Sequence, residues 1–389
     1  MRLFEDKTRI AIDAAFHVES TMTYADRSAR RVMGALRDVL ESWFARYPGE
    51  LRAHLRGRLF SSRESEQQSA WWELYLHETF VRAGYDVVVS SATPDFTIDG
   101  PGGRFHVEAT SRFEDPGAYS RSRRENALYD GLDGAQTGPW RLGVEMLRVG
   151  ANSAPCARFR ARITKWIGTL DFASTRRESP TPNPNGFGRY PYKVFAEGDW
   201  ALGIEAFPFG DSREPGRVRA VVTWGAGDMV IVENEEPLRD AIARKASACR
   251  GLDAPVIIAV LLARDFGAEH QVESALFGTD GVEYAYDPSR MVIEGARPIR
   301  AADGLWSPVD GEGEIAAVLA GVRLSYFNFS KICPTLWTNP LVRRSPIELA
   351  DDLPWQRRWV DESGIVFADS IRTPASFFDV TRDWPGEDD

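Results

Sequence analysis

The sequence predicts an α/β protein whose core runs helix, three-strand meander, helix, strand. Three observations carry that prediction: a hairpin pattern over Thr93 to Thr110, a strongly helical stretch before it, and a second helix followed by a continuous apolar run well after it. Helical and strand periodicities alternating along one chain indicate packed layers of helix and sheet. The core is read as residues 61–270 with an insertion at about 111–235, an N-terminal extension over 1–60 and a C-terminal region over 271–389 without a fold assignment.

The extension carries a strand pattern around Thr8 to Ala15 and a helix pattern from about Tyr24 to Arg46. The first core helix opens on Ser61-x-x-Glu64, which has the form of a capping box, and stops at Gly84. At 100° per residue Ala70, Leu74, Leu76, Phe80, Val81 and Ala83 share one broad apolar arc, with Glu66, Glu73 and His77 near its middle. A charge on such a face needs a partner, a proton, a metal or solvent. Tyr85 to Ser90 follows as a first strand.

The hairpin itself reads Thr93-Pro94-Asp95-Phe96-Thr97-Ile98, then Gly100-Pro101-Gly102-Gly103, then Arg104 to Thr110. Side chains alternate along a strand, so His106, Glu108 and Thr110 face one way and Phe105, Val107 and Ala109 the other. One carboxylate on each of two neighbouring strands suits a hard divalent cation. His106 either joins that face chemically or is a satisfied structural histidine.

Within the insertion, Pro180 to Gly188 has loop composition, and Trp200 to Phe207 and Val218 to Val222 read as strands. A second helix runs from Glu236 to Gly251, with Pro237 in its first turn. Leu238, Ala241, Ile242, Lys245, Ala248 and Cys249 form its apolar stripe, so Lys245 is the charge on that stripe. It either points into a site or snorkels outward on its long stem. Ala254 to Leu262 is then an apolar run expected of a strand covered on both faces. Beyond it, Trp337 to Leu341 reads only as a turn or packing motif, and no internal repeat is present.

Pro94-Asp95 followed by Glu108-Ala109-Thr110 resembles the signature of the PD-(D/E)xK nucleases, the restriction-endonuclease-like superfamily, with Thr110 where the motif has lysine. The resemblance implies a Mg²⁺ (or Mn²⁺) site made by Asp95, Glu108 and the Ala109 carbonyl. It also implies a first-helix glutamate near the site, for which Glu73 is the choice, and a displaced lysine, for which Lys245 is the choice among five lysines. The implied activity is phosphodiester hydrolysis by an endonuclease, on DNA before RNA, in restriction, phage defence or repair. A catalytically inactive relative that binds nucleic acid or a partner protein is the alternative, and Thr110 favours it. Acid–base chemistry on two carboxylates, as in glycoside hydrolysis, leaves Glu73 and Lys245 unexplained.

The net charge of −10 opposes a protein that coats DNA with a general basic surface, so phosphate binding would fall to local arginine clusters. Those are Arg27, Arg30, Arg31 and Arg37; Arg52, Arg56 and Arg58; Arg121, Arg123 and Arg124; and Arg158, Arg160 and Arg162. Arg121, Arg123 and Arg124, read as a loop just after the Glu108 strand, are the nucleic-acid-binding candidates; the competing reading is ordinary surface pairing with acids. Cys156, Cys249 and Cys333 have no metal-ligand or disulfide-framework spacing. Without a signal peptide or a long apolar span, a soluble, cytoplasmic protein with no membrane partner is expected, as a single chain, an oligomer or with a partner protein.

Overall fold

The computed structural model describes residues 1–11, 13–100, 102–111, 116–133, 135, 137–177, 190–208, 221–223, 235–262, 268–287, 292–306, 315–342, 353–361 and 364–387. The protein is mixed α/β and divides into two compact units. Unit 1 comprises residues 1–6, 31–113 and 231–389, and unit 2 comprises 7–30 and 114–230.

The N-terminal region departs from its sequence pattern in two ways. No strand forms among the described residues of 8–15; Ala11 makes a single isolated bridge to Ser28. The helix expected over Tyr24 to Arg46 is two helices, α1 (Thr21–Arg27) and α2 (Arg31–Arg46). Ser28 breaks them: its backbone is extended and its hydroxyl accepts from the Arg30 N–H at 3.2 Å, competing with helical bonding. A third helix, α3 (Arg52–Leu59), buries Leu55 and Leu59 and carries no acidic residue.

The first core helix, α4, spans Glu64–Arg82, and Gly84 closes it at φ +83°. The capping box does not form. The Ser61 hydroxyl donates to Glu66 Oε2 at 2.5 Å and accepts from the Arg63 N–H, so Arg63 becomes an N-cap with no side-chain bond. Glu66 is thereby drawn off the apolar arc to the helix start.

The middle of α4 is buried all round, Trp71, Trp72 and Tyr75 included, which is wider than the predicted arc. The cause is cover on both sides. Phe80 meets Phe96, Phe105 and Trp355 on the sheet, while Trp43 of α2 meets Tyr75 from the other side. Glu78 is fully buried and held by Arg46 and Arg82.

Strands β1 (Asp86–Val89), β2 (Phe96–Gly100) and β3 (Gly103–Ser111) make the antiparallel meander. Phe105 packs against Phe80 of α4, and Val107, next on the same face by alternation, is buried.

Unit 2 contains α5 (Pro116–Leu132), β4 (Trp140–Arg148), α6 (Cys156–Ile167), α7 (Phe172–Arg177), β5 (Tyr192–Glu197), β6 (Trp200–Pro208) and β7 (Val221–Thr223). Its sheet runs β5-β6-β4-β7. Leu128, Leu132, Phe159 and Ile163 of α5 and α6 pack on Leu142, Val144, Leu202 and Ile204 of that sheet. Arg121, Arg123 and Arg124 lie on α5 and not on a loop; Pro116 at the first helical position and the buried Leu128 and Leu132 hold that helix. The Pro180 to Gly188 loop lies outside the described residues.

The chain returns to unit 1 as α8 (Glu235–Ala248), β8 (Val256–Leu262), α9 (Ala268–Phe277) and a separate hairpin, β9 (Asp280–Asp287) with β10 (Val292–Arg300). It finishes with β11 (Ala317–Val322), β12 (Thr335–Thr338), β13 (Gln356–Asp361), β14 (Gly364–Ala368) and α10 (Pro374–Phe377). The large sheet is eight-stranded and mixed, ordered β1-β2-β3-β8-β11-β12-β13-β14. Residues 271–389, set apart in the sequence reading, thus supply four strands of the same sheet.

β8 is parallel to both β3 and β11 and buried along its whole length. Leu238 and Ile242 of α8, with Cys249 directly after it, pack on Val256, Ile258 and Val260, while the Trp72 indole of α4 donates to the Ala259 carbonyl. The two helices therefore cover opposite faces. Gly321 on β11 leaves room for this packing: a Cβ there would lie 3.1 Å from the Trp72 ring, a tight contact. The Trp337 to Leu341 motif ends β12, where Asn339 donates to the Ile315 carbonyl and accepts from the Leu341 N–H. No helix among the described residues is long and apolar enough to cross a membrane.

Candidate functional site

The hairpin locks its two carboxylates together through the backbone. Asp95, directly before β2, donates its N–H to Glu108 Oε2 at 3.2 Å, and the Ala109 N–H donates to Asp95 Oδ2 at 2.7 Å. Each carboxylate thus holds the strand that carries the other. In a strand the N–H and C=O of one residue point to the same edge, so the Ala109 carbonyl is on the edge that carries Asp95. Burial, and then the charge of Glu108, push the Asp95 carboxyl up to about 6; the Ala109 N–H and Lys245 act in the opposite direction.

α8 brings the third group. Lys245 Nζ donates to Glu108 Oε1 at 2.6 Å, with the lysine side chain 36 % exposed and the glutamate 3 %. The lysine therefore points into the site from the edge of its apolar stripe. Thr110 is partly buried, aligned with Val260 on β8, and brings no amine. His106 shares the Glu108 face, but its ring nitrogens are engaged with Thr97 Oγ1 at 3.0 Å and Asp253 Oδ1 at 2.9 Å.

Glu73 on α4 is held by two residues that sequence reasoning did not single out for the site. The Tyr47 hydroxyl donates to Oε1, and Arg58 Nη1 donates to Oε2 at 2.5 Å. Burial and the Glu73 charge raise the Tyr47 phenol far above its usual range, so it stays a donor. The charge of Glu73 also raises Asp95. The available signal was Glu73 itself, a carboxylate amid apolar positions that required partners.

His77, one turn along α4, is buried against the Tyr47 ring at 4.9 Å between centroids, and its Nδ1 has no hydrogen-bond partner. Burial, with Arg46 adding, lowers its imidazole to about 4, so it is neutral near pH 7. Cys249 is close enough for Glu108, Lys245 and Asp95 to act on it; burial chiefly pushes its thiol up to about 11.

Among the described residues no cluster of three or more His, Cys, Asp or Glu is arranged to hold a metal ion. The set in the hairpin is smaller: two mutually repelling carboxylates and a carbonyl, all oxygen donors. That chemistry suits a hard divalent cation, which would relieve the repulsion that raises Asp95.

Of the arginine candidates, Arg121 pairs with Glu125 at 2.9 Å, Arg124 donates to the Gly150 carbonyl at 2.9 Å, and Arg123 is exposed. All three belong to unit 2.

No family model, curated protein or solved structure matches this chain.

Proposed function

We propose that this chain is a metal-dependent endonuclease of the PD-(D/E)xK type, hydrolysing phosphodiester bonds in nucleic acid, DNA before RNA. The observation that carries the reading is the convergence of Asp95, Glu108 and Lys245 from three elements on one spot. The surrounding order of α4, the β1–β3 meander, α8 and β8, with β8 parallel to β3, supports a restriction-endonuclease-like core.

Asp95, Glu108 and the Ala109 carbonyl would hold Mg²⁺ or Mn²⁺. When bound, such an ion stabilises charge developing on the phosphate and acidifies a coordinated water. The chain's own groups divide the remaining work. Lys245 spends one of its three donors on Glu108 and offers the others to a water or a phosphate oxygen. Glu108 fixes the direction of that ammonium, taking the place of a lysine two residues along β3. Thr110 can hydrogen-bond a water but cannot serve as a base at neutral pH. Arg121, Arg123 and Arg124 remain candidates for the nucleic-acid backbone, with Arg121 and Arg123 both exposed to solvent.

A second reading, a catalytically inactive module that binds nucleic acid or a partner protein, is favoured by Thr110 and by the engagement of Lys245 with Glu108. One experiment separates the two. Plasmid DNA, single-stranded DNA and RNA are incubated with Mg²⁺ or Mn²⁺ and wild type, Asp95→Ala or Lys245→Ala. Metal-dependent cutting lost in both variants is the expected result. Cutting lost only in Asp95→Ala removes Lys245 from the chemistry, and binding without cutting of any substrate selects the inactive module.

A further inference from the structure

The eight-stranded sheet ends on a strand that the reaction as described does not use. Among the described residues the backbone of β14 bonds to β13 alone, so its outer edge offers a row of unpaired N–H and C=O groups. Such edges ordinarily carry lysine, proline or an inward-pointing charge that turns a further strand away. β14 reads Gly364-Ile365-Val366-Phe367-Ala368 and has none of these. Phe367 is 75 % exposed, as is Ile371 shortly after it.

A cavity of about 360 Å³ borders the same edge, lined by Phe277, Arg300, Trp306, Val360, Gly364 and Ile365. Phe277 and Trp306 meet edge-on at 5.2 Å between centroids. Arg300 is already paired with Glu273 at 2.6 Å and Asp280 at 2.9 Å, so the cavity suits an apolar group better than an anion. A benzene ring is held by an apolar cavity of about 150 Å³, so this one has room for a phenyl group. Phe367 of the same chain is not part of the lining, although it shares a strand face with Ile365 two residues before it.

An antiparallel partner reads the strand in reverse. Where a second copy of β14 pairs with the first across Val366, Ile365 of each copy is opposite Phe367 of the other, with both side chains on one face of the joined sheet. The exposed ring of each copy then meets the cavity wall of the other. We propose that the chain forms a two-fold symmetric dimer in this way, β14 against β14, with each Phe367 seated in the cavity of the other copy. The contact is isologous, one surface used twice. A net charge of −10 repels copies in general, but β14 itself is uncharged and adds nothing to that repulsion. Seating two rings removes roughly 200–400 Å² of aromatic surface, so even with the strand backbone and Ile371 the interface is at the small end of a range that begins near ~1,200 Å². The dimer is therefore of the concentration-dependent kind. Asp95, Glu108 and Lys245 take no part in it, and it stands or falls apart from the nuclease reading.

The test is sedimentation velocity of the full-length protein over a range of micromolar concentrations. The samples are wild type, Phe367→Ala, Ala302→Trp and an equimolar mixture of the two variants. Ala302 is an exposed residue of the cavity lining, so a tryptophan there occupies the cavity and leaves the core alone. The expected result is a monomer–dimer equilibrium for wild type and a dissociation constant raised at least about thirtyfold in each variant, as for loss of an aromatic anchor. The mixture is expected to associate more tightly than either variant alone, because one Phe367 still finds one open cavity.

A monomeric wild type overturns the inference and leaves the edge to an extended segment of another protein. A dimer that survives Phe367→Ala, or a mixture no tighter than its components, overturns it as well. Should thermal melting show Ala302→Trp unfolded, Phe367→Ala decides together with hydrogen exchange of wild type. Loss of the dimer in the variant, with exchange over Gly364–Ala368 slowed when wild type dimerises, supports the inference. A dimer retained, or one whose formation leaves that exchange unchanged, overturns it.

Discussion

Lys245 Nζ and Glu108 Oε1 lie 2.6 Å apart, and the two residues are unequally buried, 36 % exposed for the lysine side chain against 3 % for the glutamate. Removing one partner is therefore not equivalent to removing the other. Lys245→Met strands a buried carboxylate and is expected to cost about 1–3 kcal/mol, between the ranges for exposed and for fully buried pairs because the lysine is partly solvated. Glu108→Gln frees an ammonium that can turn to water, and its cost is expected to be smaller. Urea unfolding of both variants checks this; equal losses would show the pair to be symmetric.

Asp95 makes stability depend on pH in a direction unusual for a carboxylate. Its carboxyl is raised from 3.8 to about 6, so between those values the folded chain holds more proton than the unfolded one. The stabilising contribution is complete below 3.8 and is lost as pH rises through about 6. Near neutral pH, Asp95→Asn is thus expected to be more stable than wild type by about 1–3 kcal/mol, an advantage that closes in acid. Divalent cation is expected to raise the melting temperature of wild type and not of Asp95→Asn. Melting curves across pH, with and without EDTA, read both effects.

His77 acts in the opposite sense. Its imidazole is lowered from 6.5 to about 4, so the unfolded chain takes up protons first, and stability present above 6.5 is lost as pH falls through about 4. The loss in acid is expected to reach roughly 3 kcal/mol. Because Asp95 gains stability over part of the same range, the measurement is the difference between wild type and His77→Phe. The variant should show a flatter acid limb, and identical limbs would mean that His77 keeps its ordinary affinity for protons.

On α5 the three arginines should separate by their partners. Arg123→Glu is expected to weaken nucleic-acid binding across sequences and to lower the salt dependence by about one counterion or more, leaving the melting temperature unchanged. Arg124→Ala removes the bond to the Gly150 carbonyl and should cost about 1 kcal/mol of stability. If Arg123→Glu binds like wild type, the nucleic-acid surface lies elsewhere.

Local chemistry explains what was legible in the sequence. The hairpin announced itself by Gly100 to Gly103 between two alternating runs, α4 and α8 by helix formers and glycine stops, and β8 by an uninterrupted apolar run. Lys245 stood out because a charge interrupts an apolar stripe. Tyr47 and Arg58 did not, since which residue meets Glu73 is decided by how α2 and α3 cross α4 and not by spacing along the chain. Likewise Trp71, Trp72 and Tyr75 blurred the periodicity of α4, because a helix covered on every side has no polar face to mark its phase. β12 is four residues long and wholly buried; its order comes from neighbours distant in sequence.

Glu108 and Lys245 are 137 positions apart, with residues 114–230 of unit 2 between them. The two carboxylates reach each other by a local turn, whereas the ammonium arrives only when β8 aligns with β3 and closes a far longer loop. Cutting the chain within residues 114–230 would leave the carboxylates on one fragment and the ammonium on the other. The protein would become a two-component system whose halves are separately incomplete, and re-pairing of β3 with β8 would be the step that completes it.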